Sequence, residues 1–292
     1  MRINTNISSL TAQEAAQNTT KTLTTSLEKL STGLRINKAS DDASGLAIAD
    51  KLRTQATSIN QGIANGNSAV SLLQIADKSM AEQSNILDTI KAKLIQANTD
   101  TTSNDGKLSI AKDVNKLLEQ LNNIAKQTNY NGTTLLQAGR ATSTESKGLS
   151  FQVGENRGDT IKTKTIQANS SGLKIQTLKT KASAAAASTA GAISTNFGKT
   201  MTSSMQLAVD NAITKLNGYR GDIGSTQNQV ESAVRNLMTQ ATNVKAAESI
   251  IRDVDYAQES ANFNKQNIIS QAGSYAISQA NSVQQNVLRL LQ

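Results

Sequence analysis

The 292-residue sequence contains no cysteine, histidine, proline or tryptophan, and aromatic residues make up only 2% of it. Without cysteine the chain has no disulfide and no thiolate, and without histidine it lacks the commonest general base and metal ligand. The absence of proline permits long unbroken helices, because an interior proline costs a helix about 3 kcal/mol. The scarcity of aromatic residues argues against a large compact core, although the length allows two or three domains.

The charge and the hydrophobic runs narrow the range of partners. The net charge is +8, but Lys and Arg are interleaved with Asp and Glu and lack an aromatic platform, so we expect a solvated surface and no nucleic-acid partner. No apolar run reaches the ~20 residues of a membrane span, which predicts no membrane insertion. The first residues lack the apolar core of a signal peptide. Taken alone, this predicts a cytoplasmic protein or one exported without a cleaved signal.

Two long stretches have the heptad spacing of a coiled-coil seam. Apolar residues recur in alternating steps of four and three over 205–254, and a similar pattern with polar interruptions runs over 52–94. The predicted seam residues are Leu52, Ile59, Ile63, Val70 and Leu73 in one stretch and Leu216, Ile223, Val230, Leu237 and Val244 in the other. A helix of about fifty residues spans ~75 Å, which exceeds the ~50 Å diameter of a globule of this length. The two seams therefore predict an elongated rod in which these helices are partners.

Both ends of the chain are amphipathic and only sparsely apolar. The apolar positions are Ile7, Leu10, Leu23, Leu27, Leu30 and Leu34 near the start and Ile268, Ala272, Val283, Val287, Leu290 and Leu291 near the end. Ordering about forty residues at each end costs on the order of 100 kcal/mol, which one helix pair with so few apolar side chains does not offset. We therefore expect the ends to become ordered only when many copies associate.

The middle of the chain has a different pattern. Residues 103–106 predict a turn, a third helix with an apolar face follows, and Asn131-Gly132 predicts a turn with positive φ. Residues 149–153 and 160–166 alternate with period two around a glycine-containing turn, which predicts a β-hairpin, and 173–175 predicts a further short strand. The Ala/Ser/Thr tract 182–191 is either a helix start or a flexible linker, with the linker favoured. The predicted fold class is mainly α, with a small β-hairpin region in the middle.

Ser40-Asp41-Asp42 is the one acidic pair that precedes a predicted helix closely. Serine is a good N-cap, and carboxylates are favoured at the positive end of a helix dipole. A divalent cation is the alternative, but no further ligands cluster nearby, so capping is the favoured interpretation.

Motifs at both ends resemble bacterial flagellin, the filament protein of the flagellum. The resemblance rests on residues 2–6 (RINTN), 27–37 (LEKLSTGLRIN), 39–49 (ASDDASGLAIA), 251–257 (IRDVDYA) and 284–291 (QQNVLRLL), together with 151–154 (FQVG) in the hairpin. It covers nearly the whole chain. The central stretch is much shorter than the outer domains of many flagellins, so the resemblance is to a short form without large outer domains.

The resemblance implies an extracellular filament subunit that is exported unfolded through the flagellar type III apparatus. Residues 1–40 and 255–292 would form an inner tube, 41–139 and 200–254 a rod-like helical layer, and 140–199 a β-hairpin and short linking region. The implied partners are further copies of the chain, a flagellar export chaperone, the filament cap and junction proteins. No cofactor is implied.

A departure from the family pattern concerns recognition by a mammalian Toll-like receptor. Many flagellins carry an Arg and a Leu for this recognition on the second helix, with an acidic residue between them. Alignment on Leu87 places Thr89, Ala92 and Lys93 at these positions, and the surrounding segment is similar to flagellins of the Campylobacter and Helicobacter group, which escape the receptor. We expect weak or absent activation. The alternative interpretation is that these are ordinary filament-contact or solvent-facing residues, and both can hold.

Three other functions fit the sequence less well than that of a filament subunit. A hook–filament junction protein would resemble flagellin at the ends, but Asp41-Asp42 and the intact C-terminal run favour flagellin. An enzyme is disfavoured because the chain has no histidine and no acidic pair in a recognisable pocket-forming context. A cytoplasmic coiled-coil adaptor would form a discrete oligomer, whereas a flagellin forms open-ended polymers.

Overall fold

A computed structural model describes residues 6–138, 148–187 and 198–290. The helices are α1 (Ile7–Thr32), α2 (Ala43–Ala97), α3 (Asn104–Gln127), α4 (Gln176–Ala186), α5 (Lys199–Arg252) and α6 (Tyr256–Leu290). The strands are β1 (Asn129–Tyr130), β2 (Thr133–Thr134), β3 (Ser150–Gln152) and β4 (Thr160–Lys162), and they form the antiparallel pairs β1–β2 and β3–β4. The predicted mainly α fold with a small hairpin region is confirmed. No helix in the described ranges is both long and apolar enough to cross a membrane.

Two helix starts differ in detail from the sequence prediction. The Oδ1 atom of Asp42 accepts the Gly45 N–H at 2.9 Å and α2 begins at Ala43, so Asp42 caps the helix while Ser40 lies in the preceding turn. The predicted turn at 103–106 is wrong. Ser103 accepts the Gly106 N–H at 3.2 Å and Asn104 begins α3, because a serine cap with an acidic first turn outweighs the turn propensity of Asp-Gly.

Two predictions for residues 173–191 are also corrected. Residues 173–175 do not form a strand, because the N–H groups of Leu173 and Ile175 donate to the carbonyls of Asn169 and Ser170 and fold this segment into a turn. The Ala/Ser/Thr tract is helical as far as Ala186, because α4 packs its apolar side against α3. The buried residues of α4 are Leu178, Ala182 and Ala185. The tract from residue 188 onwards lies outside the described residues.

One compact unit comprises residues 58–240, in which α2 and α5 run antiparallel. Their cross-contacts are Asp77 with Arg220 at 2.9 Å and Lys91 with Asp210 at 2.6 Å, and Asn98, directly after α2, accepts from the Thr202 hydroxyl of α5 at 2.9 Å. Of the predicted seam residues in this unit, Ile59, Leu73, Leu216, Ile223, Val230 and Leu237 are buried, and Ile63 and Val70 are half-buried. The buried Gln83 Nε2 donates to the carbonyls of Leu121 and Ala168, which joins α2 to α3 and to the segment before α4.

The other compact unit comprises residues 1–57 and 241–292. It contains the whole of α1 and α6 together with the first part of α2 and the last part of α5. Leu52 and Val244, the two predicted seam residues in this unit, are half-buried. The unit boundaries fall inside α2 and α5, whereas the predicted boundaries at residues 40 and 255 fall close to the breaks between helices.

Candidate functional site

The helices α1 and α6 form an antiparallel pair that brings the two ends of the chain together. The side chain of Asn6 donates to the Ala280 carbonyl at 3.1 Å, and the Tyr256 hydroxyl donates to the Leu30 carbonyl at 2.7 Å. Between these contacts, the Ser26 hydroxyl donates to the Glu259 carboxylate. One hydrogen bond at the end near Asn6 and two at the end near the start of α6 fix the register of the pair.

Much of the apolar surface of this helix pair is uncovered. Ser26 is the only described side chain of α1 that is buried, and no described side chain of α6 is buried. Exposed predicted residues are Ile7, Leu10 and Leu27 on α1 and Ile268, Ala272 and Val283 on α6, while Leu23, Leu30 and Leu34 are half-buried. Val287 and Leu290 lie on α6, and Leu291 lies outside the described residues. Exposed apolar residues in this number indicate a surface for association.

The prediction missed three large exposed side chains of α6. Tyr275 is 75% exposed, Tyr256 is 57% exposed and Ile269 is 41% exposed, so α6 presents apolar groups on more than one side. Other residues of α6 are half-buried, among them Phe263, Gly273 and Ile277, and a Cβ on Gly273 would lie 3.8 Å from the Ala16 side chain of α1. We define the exposed surface of α1 and α6 that contains Ile7, Leu10, Leu27, Ile268 and Val283 as the terminal apolar surface.

The segments that link the terminal helices to α2 and α5 are bonded to each other. The Arg35 N–H donates to the Arg252 carbonyl at 2.7 Å, and the Val254 N–H donates to the Gly33 carbonyl at 3.0 Å. Gly33 ends α1 with a φ of 73°, a conformation that favours glycine, and its Cα faces the Tyr256 ring. We call residues 33–42 together with 251–255 the connector.

The acidic pair in the connector serves the backbone. The Asp41 carboxylate accepts the N–H groups of Asn37 and Lys38, each at 3.0 Å, and Asp42 caps α2. These two hydrogen bonds hold the pKa of Asp41 below its usual value of 3.8. The described ranges contain no cluster of three or more acidic, His or Cys side chains that could hold a metal ion. The two carboxylates thus have different backbone partners: Asp42 caps α2, and Asp41 binds the loop that precedes it.

The connector should lose stability in acid through Asp41. Its folded pKa lies below the unfolded value, so its stabilising effect is present above pH 3.8 and is lost as the pH falls below that value. We expect the melting temperature of the soluble wild type to exceed that of Asp41→Ala near neutral pH, and the gap to shrink below pH 3.8. Thermal melts of both proteins across this range measure the gap. A gap that is constant with pH would contradict the assignment.

The three positions predicted to bear on receptor recognition lie on one exposed side of α2. Thr89 and Ala92 are exposed, and the Thr89 hydroxyl donates to the Asn85 carbonyl. Lys93 is half-buried and forms an ion pair with Asp113 of α3 at 2.9 Å. The side chains at residues 89 and 92 are therefore short, and the ion pair with Asp113 partly neutralises the charge at residue 93.

Comparisons with known proteins agree on one family. The model of the bacterial flagellin N-terminal helical region matches residues 3–141, and that of the C-terminal helical region matches residues 207–291. The flagellin of Bacillus subtilis is 34% identical over 305 aligned residues, with 100% of both chains covered. Flagellin A of Helicobacter pylori is 27% identical over 506 aligned residues, with 99% of each chain covered, so this relative is considerably longer.

The solved structures add a likeness in fold. A structure described as a flagellar hook-associated protein from Vibrio parahaemolyticus has a TM-score of 0.58 and 10% identity, and the match covers 73% of this chain and 99% of that chain. At this identity the match shows a shared fold alone. The full-length relatives named flagellin are therefore the stronger guide to function.

Proposed function

Because the chain belongs to the bacterial flagellin family, and is therefore a structural subunit of the extracellular flagellar filament and not an enzyme, we propose that its terminal apolar surface drives polymerisation. The exposure of this surface supports the proposal: Ile7 is 64% exposed and Ile268 is 67% exposed. Burying apolar area releases about 25 cal/mol per Å², and the subunit leaves this area open to further copies of itself. The polymer then supplies the partners that the helix pair lacks.

We assign the segments of the chain to parts of the filament on the basis of this role. Residues 1–40 and 255–292 form the inner tube of the filament, and 41–139 and 200–254 form the rod-like helical layer around it. Residues 140–199 provide the hairpin and a short linking region. The connector supports this assignment, because its backbone hydrogen bonds brace both chain segments at the place where the terminal helices end.

The partners outside the polymer follow from the same exposed helices. An apolar α6 needs cover before polymerisation, which suits a flagellar export chaperone bound to the C-terminal segment. We further propose export through the flagellar type III apparatus, assembly under a filament cap, and contact with junction proteins at the filament base. Neither a nucleic acid nor insertion into a membrane is part of the proposal.

Electron microscopy tests the polymerisation mechanism. Purified protein is depolymerised and regrown with salt or seeds, beside a variant that lacks residues 1–35 and 260–292. We expect long tubular filaments from the full chain and none from the truncated chain, whose remaining helices are checked by circular dichroism. A full chain that forms only a discrete soluble oligomer, even with seeds, would overturn the mechanism.

The altered receptor positions lead us to propose weak or absent activation of the mammalian Toll-like receptor. The short side chains of Thr89 and Ala92 and the paired Lys93 support this. In a reporter-cell assay we expect a low response to wild-type protein and a stronger one to the combined variant Thr89→Arg, Ala92→Glu and Lys93→Leu. A wild-type response equal to that of an enteric flagellin would refute the proposal.

A further inference from the structure

The turn between β1 and β2 holds one of three Asn-Gly dipeptides in the chain, at Asn131-Gly132, Asn65-Gly66 and Asn217-Gly218. Asn131 and Gly132 form a two-residue hairpin loop with φ values of 49° and 81°, as the sequence predicts. The other two dipeptides lie inside α2 and α5. We propose that Asn131 is a site of spontaneous deamidation, and that the backbone of this turn selects it from the three.

The reaction requires the Gly132 backbone nitrogen to reach the side-chain carbonyl of Asn131. The Gly132 nitrogen loses its proton to base and attacks the Asn131 Cγ, a new N–C bond forms, and the bond from Cγ to the side-chain nitrogen breaks to release ammonia. Water then opens the cyclic imide. Opening at Cγ gives aspartate, and opening at the main-chain carbonyl gives isoaspartate. The net change is hydrolysis of one amide, with no oxidation or reduction.

The turn leaves both reacting groups available. Within the described ranges, neither the Gly132 N–H nor the Asn131 side chain has a hydrogen-bond partner. Both residues are exposed, and apart from Gly132 and its two chain neighbours nothing lies within 4 Å of the position that a Cβ on Gly132 would occupy. The side chain therefore has space to rotate towards the backbone nitrogen.

Asn217-Gly218 is a control that differs from Asn131-Gly132 mainly in its backbone conformation. Both of its residues are exposed, and apart from the adjacent residues and backbone of α5 nothing lies within 4 Å of a Cβ built on Gly218, so accessibility does not separate this pair from the turn. The Gly218 N–H is instead held in the hydrogen-bond ladder of α5 and must be freed by local opening before it can react. Asn65-Gly66 is more protected, because the Asn65 side chain donates to the Gln152 carbonyl and Gly66 is buried.

The product would change a turn that closes tightly on the core. The Leu135 N–H donates to the Thr128 carbonyl on the far side of the hairpin, and the Leu136 side chain is fully buried. Aspartate adds a negative charge at the exposed tip, whereas isoaspartate also adds a methylene to the backbone of a two-residue turn. The second product is incompatible with the register in which Tyr130 pairs with Thr133.

Peptide mapping of aged full-length protein tests the proposal. Soluble protein is held in mildly alkaline buffer, and the conversion of each Asn-Gly peptide is followed by mass spectrometry and by an isoaspartyl methyltransferase probe. We expect Asn131 to convert faster than Asn217 by on the order of a hundredfold, since helix opening limits the latter. In urea, where both backbones are free, we expect the rates to converge. Asn131→Gly, which tolerates the same φ, should remove the signal from the hairpin peptide.

Two results would overturn the inference. One is a folded protein in which Asn217 converts as fast as Asn131. The other is an Asn131 that remains an amide in the folded chain although it converts in urea.

Discussion

Ile268→Asp is expected to prevent filament growth at concentrations at which the wild type polymerises, while leaving the folded subunit intact. Ile268 is 67% exposed in the helix pair, so its replacement removes little intramolecular packing and should change the unfolding free energy by no more than about 0.5 kcal/mol. In the filament, by contrast, this side chain is proposed to meet another subunit. A carboxylate buried there without a partner incurs a desolvation cost in every subunit added.

The size of this effect follows from the affinity relation. A penalty of about 3 kcal/mol for each added subunit raises the critical concentration for growth by about a hundredfold. Seeded regrowth followed by light scattering and electron microscopy measures the critical concentration, and circular dichroism with thermal melts monitors the fold. The matched control is Ile268→Leu, which keeps the apolar volume and should grow as the wild type does.

The outcomes distinguish assembly from folding. Loss of growth with an unchanged melting temperature would place Ile268 in a subunit contact. Normal growth of the aspartate variant at wild-type concentrations would remove this residue from the proposed polymerisation surface. If the leucine variant also failed to grow, the subunit contact would require the shape of the isoleucine side chain and not apolar burial alone.

Long-range periodicity made the helices predictable. The heptad spacing anticipated α2 and α5, and the antiparallel contacts of Asp77 with Arg220 and Lys91 with Asp210 show these helices as partners within residues 58–240. The period-two alternation likewise anticipated the β3–β4 hairpin, in which Phe151 pairs with Ile161. These features are repeated along many residues, so a single unfavourable position does not hide them.

Features that depend on contacts distant in sequence could not be predicted in the same way. The Arg35 N–H bonds to the Arg252 carbonyl through backbone atoms, which leave no pattern in the residue types. The polar interruptions of the predicted seam over 52–94 gave no sign that Gln83 would bond across to the Leu121 carbonyl. Residues 173–175 alternate between apolar and polar side chains as a strand does, but backbone hydrogen bonds to the carbonyls of Asn169 and Ser170 fold them into a turn.

The terminal helices show a second limit to prediction from hydrophobic periodicity. On α6 the predicted residues Ile268 and Val283 are exposed, while Phe263 and Ile277, which the predicted stripe does not include, are half-buried. Periodicity identifies an apolar side of a helix, but it does not reveal whether the same chain or another copy covers it. That assignment requires the structure of the subunit.

Gly62→Ala should destabilise the subunit even though alanine is the better helix former. Gly62 is buried within α2, and a Cβ there would lie 2.5 Å from the Val153 carbonyl oxygen and 3.1 Å from its carbon. These are backbone atoms of the hairpin, so a change of rotamer cannot relieve the clash. One turn further along, the Asn65 side chain donates to the Gln152 carbonyl at 3.1 Å and holds the same strand against the helix.

Because the variant must displace this strand, we expect Gly62→Ala to lose on the order of 2–4 kcal/mol of unfolding free energy. This loss outweighs the gain of about 1 kcal/mol in helix propensity. Gly218→Ala is the matched control, because Gly218 is also inside a long helix, but apart from the adjacent residues and backbone of that helix nothing lies within 4 Å of its Cβ position. The unfolding free energy of this control should rise by about 0.5–1 kcal/mol. Urea unfolding of both variants measures whether each substitution raises or lowers the unfolding free energy. If Gly62→Ala were also stabilising, the hairpin would not be packed on α2 at this glycine, and the close approach of Val153 would be refuted as the reason for a glycine there.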